Sequence, residues 1–158
     1  MLPAAEALKT ELEQLLPGVS VTLEGTALAI AAKDLLAVSR CLKDTDRFAM
    51  DYLSNVTAVD YPTEQRIQMV YHLYSMSRRH GPLTLLVNVD RAQPELESVT
   101  PLWRSAEFQE REVYDLFGVR FQGHPDLRRI LMWDGFEGHP MRRDYVAEDQ
   151  DNAPEPAR

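Results

Sequence analysis

Arg66-Ile67-Gln68-Met69-Val70-Tyr71-His72-Leu73-Tyr74-Ser75 is the stretch whose reading decides the fold. Ile67, Met69, Tyr71 and Leu73 recur at every second position, with Gln68, Val70 and His72 between them. Successive side chains of a strand point to opposite faces, so this alternation predicts a half-buried strand above a core. Downstream, His80-Gly81-Pro82 predicts a turn, and residues 83–89 a second strand. Upstream, residues 48–59 read as a strand carrying Tyr52, Leu53, Val56 and Val59. Further out, residues 19–23 and 27–31 flank Glu24-Gly25 and predict a hairpin.

Helical spacing brackets these strands. Leu8, Leu12, Leu15 and Leu16 make a stripe over residues 2–16, which Pro17-Gly18 ends. Asp34 opens a second helix carrying Leu35, Leu36, Val38 and Leu42. A third is expected over residues 99–117, with Trp103 near its start and Gly118 at its end. Strands in the middle with helices at either end predict an α+β two-layer sandwich, a mixed sheet with helices on one face. Residues 1–118 form that core domain, residues 119–145 an extended ribbon with little regular structure, and residues 146–158 an acidic flexible tail.

The composition narrows the functions on offer. The chain has 158 residues, 44% hydrophobic and 27% charged, as ordinary single globular domains do. No run approaches the roughly 20 apolar residues of a membrane span, and the N-terminus lacks a signal-peptide layout, so a cytosolic or cytosol-facing position is expected. The net charge of −8 disfavours nucleic acid as a partner. The lone Cys41 cannot hold an iron–sulfur cluster or a structural zinc site, which draw on several ligands. No glycine-rich loop opens a helix after a strand, which argues against nicotinamide or flavin binding within this chain. After Lys43 every base is arginine, which fits either a protein interface or an arginine-rich codon usage.

The C-terminal part holds the chemistry-bearing residues. Glu110-Arg111-Glu112, Asp115 and Leu116-Phe117 precede Gly118; two Gly-His-Pro triplets follow, around His124 and His139. Each triplet is trailed by an arginine pair, Arg128-Arg129 and Arg142-Arg143. A residue before proline is pushed to extended geometry, so both triplets are expected in turns. Two readings compete for the charges. Glu110, Glu112 and Asp115 can serve as general acid–base carboxylates, or form an ion-pair network with Arg111, Arg128 and Arg129 that holds the ribbon to the helix. No nucleophile accompanies them, which favours the network. His124 and His139 lack further close-spaced ligands beyond acids, so turn-fixing or interface hydrogen bonding is preferred to metal binding. Phe121, Trp133 and Phe136 are expected to be anchors, because aromatic and arginine clusters mark interfaces.

The ordered series Glu110-Arg111-Glu112, Asp115, Leu116-Phe117, His124, Arg128 and Ile130-Leu131 resembles the signature of the 30-kDa subunit family of respiratory complex I. Gly135-Phe136-Glu137-Gly138-His139-Pro140 with Arg142-Arg143-Asp144-Tyr145, and upstream residues 55–61, continue the likeness. After Tyr145 this chain reads Val146-Ala147-Glu148 where many relatives continue with proline. The resemblance implies a cofactor-free structural subunit in the peripheral arm of NADH:quinone oxidoreductase, on the cytoplasmic face of the bacterial cell membrane. Its implied partners in this hetero-oligomer are the quinone-binding large subunit, related to hydrogenase large subunits, and iron–sulfur subunits. FMN and the iron–sulfur clusters would lie in the partners. The alternative is the equivalent subunit of a membrane-bound hydrogenase or a non-NADH quinone reductase. The expected partner-facing residues are Glu110, Arg111, Glu112, Asp115, Phe121, His124, Arg128, Arg129, Trp133, Phe136, His139, Arg142 and Arg143.

Overall fold

The computed structural model describes residues 3–147, so the expected acidic tail lies outside the described residues beyond Ala147. In chain order come α1 (Ala5–Leu15), β1 (Val21–Glu24), β2 (Ala27–Ala31), a 3-10 turn (Ala32–Asp34) and α2 (Leu35–Asp44). Then follow β3 (Tyr52–Tyr61), β4 (Arg66–Ser75), β5 (His80–Asp90), β6 (Glu95–Glu97), α3 (Ala106–Phe117) and β7 (Arg120–Gln122).

The alternating stretch is β4, second from one edge of a five-stranded sheet in the order β1-β2-β5-β4-β3. The β2–β5 pair is parallel and the other pairs antiparallel, so the sheet is mixed. Ile67, Met69, Tyr71 and Leu73 are buried together with Leu83, Leu85, Val87 and Val89 of β5. Into the same cluster go Leu8 and Leu12 of α1, Leu35, Val38 and Leu42 of α2, and Val113 and Phe117 of α3. All three helices therefore share one face of the sheet, the predicted α+β two-layer arrangement. Burying such a cluster supplies the main driving force for folding. No helix of the described residues is long and apolar enough to cross a membrane.

β3 lies at the sheet edge, where unpaired backbone groups invite stray pairing. The region around α3 blunts it. The Val56 amide donates to Gln109 Oε1 at 2.6 Å and Ser105 Oγ donates to the Leu53 carbonyl at 2.9 Å. Trp103 Nε1 donates to the Met50 carbonyl at 2.9 Å, which satisfies a buried indole.

Several boundaries differ from the sequence reading. The third helix begins at Ala106, not at residue 99, because Pro101 keeps Thr100 out of helical geometry. Just before that turn lies β6, which pairs in parallel with β7 across the α3 crossover. The ribbon, expected to hold little regular structure, begins with this short strand, Arg120–Gln122. β3 starts at Tyr52 and not at residue 48, because Ala49 takes a positive φ of 44°. His80 is the first residue of β5 and not part of the turn; its Nε2 donates to the Phe48 carbonyl at 2.8 Å.

Candidate partner interface

α3 sorts its charged residues by helical spacing. Ala106, Glu110, Val113 and Phe117, at steps of four, three and four, are the buried stripe against the sheet. Arg111 and Asp115, at i and i+4, turn instead toward the ribbon, and Glu112 stays exposed.

The last carbonyls of a helix lack intrahelical partners. Here every one is satisfied, and mostly by the ribbon. Gly118 N donates to Tyr114 O at 2.9 Å, and Met141 N donates to Leu116 O at 3.1 Å. Asp115 O accepts from Arg129 Nη1 at 3.2 Å and from His139 Nδ1 at 3.1 Å. Phe117 O accepts from Arg142 Nε at 2.7 Å. Two guanidinium groups thus sit at the negative end of the helix dipole, where cations are favoured. Gly118, at φ +79°, makes the left-handed cap, and its missing Cβ leaves room for the His139 ring. Burial lowers the His139 pKa, so the neutral ring is favoured in this packing.

The Asp115 carboxylate is buried and fully committed. Its Oδ2 accepts the amides of Ile130, Leu131 and Met132 at 3.0, 2.7 and 2.8 Å, and its Oδ1 accepts Arg129 Nη1 at 2.6 Å. Burial raises its pKa, but the Met132 and Leu131 amides, Arg129 and the Ile130 amide together outweigh that and hold it low. Arg111 makes the reciprocal contact, donating from Nε and Nη2 to the carbonyls of Arg128 and Arg129 at 3.1 and 3.0 Å. One turn of helix therefore reads the ribbon backbone through both its donors and its acceptors.

A second clasp holds the far end. Asp60, buried at the end of β3, pairs bidentately with Arg91 at 2.7 and 3.0 Å. Its Oδ2 also accepts the Arg143 amide at 2.9 Å, while Arg91 Nη2 donates to Asp144 Oδ1 at 2.6 Å. The Arg91 hydrogen bond is the largest influence lowering the Asp60 pKa.

These contacts correct parts of the expected charge network. Asp115–Arg129 is present, but Arg111 reaches backbone carbonyls and lies 3.9 Å from Asp126. Arg128 pairs with Asp126 at 2.9 Å, at the exposed surface, and not with Glu112. Glu110 turns inward to Ser98 and Val99. Phe121 is buried in the chain's own core. His124 fixes its turn: Nδ1 accepts the Asp126 amide at 3.0 Å and Nε2 donates to the Glu107 carbonyl at 2.9 Å. Arg142 bonds within the domain, as does the Arg143 backbone. Among the described residues no group of three His, Cys, Asp or Glu side chains is placed to hold a metal ion.

The docked ribbon leaves several large apolar side chains exposed among its charges. Leu131, Trp133 and Met141 are 57%, 49% and 55% exposed, and Phe108 of α3 is 60% exposed. Trp133 meets Phe136 edge-on at 4.8 Å, Phe136 stacks on Tyr145 at 6.1 Å, and Arg129 covers Phe136 at 5.4 Å. The aromatic base is thus fixed before any partner arrives. Sequence reasoning did not single out Asp60, Arg91, Phe108 or Met141, and quoted Leu131 only within the family signature. Only Asp60 carried a signal, as an acid at a core-facing position after Val56 and Ala58 in an alternating strand.

The chain as a whole is similar to several known proteins. The model of the family described as respiratory-chain NADH dehydrogenase, 30 Kd subunit, matches residues 28–151. The C subunit of NADH-quinone oxidoreductase from Moorella thermoacetica is 47% identical over 137 residues, covering 85% of this chain and 90% of that protein. The corresponding C 2 subunit from Rhizobium meliloti is 41% identical over 75% of this chain, and the match spans 65% of that longer protein. Among solved structures, a trypsin-resistant fragment of Nqo5 superposes with a TM-score of 0.55 at 28% identity, over 79% of this chain and 100% of the fragment. A chain of the archaeal membrane-bound sulfane sulfur reductase shares the fold, with a TM-score of 0.69 at 23% identity over 89% of this chain and 85% of that one.

Proposed function

This chain belongs to the 30-kDa subunit family of respiratory-chain NADH dehydrogenase, and from that premise we propose that it is a cofactor-free scaffold in the peripheral arm of NADH:quinone oxidoreductase. It holds the quinone-binding large subunit, related to hydrogenase large subunits, in register with the iron–sulfur subunits. FMN and the clusters reside in those partners, and the complex carries electrons from NADH to quinone. The chain sits peripherally on the cytoplasmic face of the membrane. The identity of 47% to a protein of an NADH-quinone oxidoreductase favours this assembly over a hydrogenase-type one.

The observation that carries the reading is the exposure of three large apolar side chains, Leu131, Trp133 and Met141, on a ribbon already bound to its own domain. Ordering a free segment costs about 1–2 kcal/mol per residue in backbone entropy. A ribbon held in place beforehand offers its anchors to a partner without that loss. Electron transfer needs fixed distances between centres, which a rigid spacer of this kind supplies. Affinity purification of the tagged full chain from membranes tests the reading: the large subunit and cluster-bearing subunits should co-purify, and recovery of the chain alone would refute it.

A further inference from the structure

Glu110 is fully buried in the middle of α3. Its Oε1 accepts the Val99 amide at 2.8 Å, and its Oε2 lies 2.6 Å from Ser98 Oγ. Ser98 Oγ in turn lies 2.7 Å from Thr100 Oγ1. Thr100 is partly exposed, at a cleft shared with Pro101, Arg104, Glu107, Gly123 and Pro125. Two hydroxyls therefore link a buried carboxyl to solvent. Each hydroxyl both donates and accepts, so the chain works in either direction. With Glu110 charged, Thr100 donates to Ser98 and Ser98 donates to Glu110. With Glu110 neutral, its own O–H donates to Ser98, and Ser98 donates to Thr100. In both cases Ser98 Oγ keeps the Thr100 amide, 3.2 Å away.

Among the described residues no lysine or arginine pairs with this carboxyl. Arg111, the next residue on the helix, is committed to the carbonyls of Arg128 and Arg129. From the ribbon, His124 Nε2 stands 3.9 Å away, with both ring nitrogens engaged by backbone groups, the Asp126 amide and the Glu107 carbonyl. From β4, the buried Tyr71 phenol faces the same group, held protonated by burial and by Glu110 itself.

We propose that Glu110 is a buried proton-binding site, loaded from the Thr100 cleft through Ser98, whose occupancy sets the stability of the domain. Burial pushes the Glu110 pKa up to about 7 against the pull of Ser98 and the Val99 amide. A carboxyl raised in the folded state stabilises most when protonated. Its contribution is complete below the ordinary value of 4.5 and is lost as the pH rises through about 7. The site belongs to the isolated domain and does not depend on the assembly reading.

Carbon-13 NMR of the full chain, labelled at glutamate carboxyls and titrated with pH, tests this directly. One carboxyl should titrate near 7, and that signal should be missing from Glu110→Gln. Thr100→Val should leave the midpoint in place but slow proton exchange with solvent. The melting temperature of the wild type should fall relative to Glu110→Gln between pH 4.5 and about 7. All glutamates titrating near 4.5 would overturn the site, and unchanged exchange in Thr100→Val would overturn the route. Parallel melting curves of wild type and Glu110→Gln would overturn the link to stability. The wild-type titration and the Thr100→Val exchange rate stand by themselves if Glu110→Gln fails to fold.

Discussion

Asp115 and Arg129 lie 14 residues apart in the chain, and a 2.6 Å hydrogen bond joins them between the last turn of α3 and the ribbon. The same carboxylate accepts three consecutive ribbon amides. Removing it strands Arg129 and three donors together. Losing one partner of a buried pair costs about 3–5 kcal/mol, so Asp115→Ala should destabilise the isolated chain by that order. Denaturant unfolding measures the loss, and limited proteolysis should place the first new cuts within residues 119–145. A stability loss without new cuts there would mean that the carboxylate supports the core alone.

Gly118 and Gly123 share a left-handed backbone, at φ +79° and +77°, but not their surroundings. A Cβ at Gly118 would lie 2.5 Å from His139 Nε2, whereas a Cβ at Gly123 would meet nothing within 4 Å. Both alanine variants carry the conformational strain, which exceeds about 1 kcal/mol. Gly118→Ala should be the more damaging, since His139 must also leave its bond to Asp115 O. Thermal melts of the two variants, with His139→Ala added to each, separate the terms. The second change should narrow the gap between them.

Asp115 anchors the middle of the ribbon and Asp60 its far end, and both have lowered pKa values. A carboxylate held low contributes stability that is present above its unfolded value and lost as the pH falls through the folded one. The ribbon should therefore loosen in acid, below about pH 4. Hydrogen exchange of the Leu131, Met132 and Arg143 amides, corrected for intrinsic rates, should show that loss of protection. Neutralising Glu110 acts with the opposite sign at higher pH, so the two effects are separable.

Phe121 and Trp133 answer different questions. Phe121 is 2% exposed and belongs to the core, so Phe121→Ala should cost about 3–5 kcal/mol in the isolated domain. Trp133 is 49% exposed and rests on Phe136, so its truncation should cost much less. Equal losses by chemical denaturation would mean that Trp133 is part of the fold.

The period-two run of Ile67, Met69, Tyr71 and Leu73 made the sheet legible, because one buried face demands that pattern. The leucine stripes of α1 and α2 did the same for those helices. β6 and β7 span three residues each, too short for any period to register. Within the site, the pairing of Asp115 with Arg129 followed from charge alone. The acceptors of Arg111 did not, because they are backbone carbonyls that every residue possesses. Glu110 was legible in principle, since it shares the stripe of Val113 and Phe117 at helical spacing. It was grouped with Arg111 and Glu112, although adjacent helix positions face different ways.

The exposed apolar side chains of the ribbon carry the central claim, and a variant with Leu131→Ser, Trp133→Ala and Met141→Ser addresses it most directly. These side chains are 57%, 49% and 55% exposed, so the domain has little to lose when they change. Native gels and NADH:quinone activity of membranes, set beside the melting curve of the purified variant, give the comparison. The account predicts a melt close to that of the unaltered chain, with assembly and activity lost together. Full assembly and activity in a folded variant would contradict it.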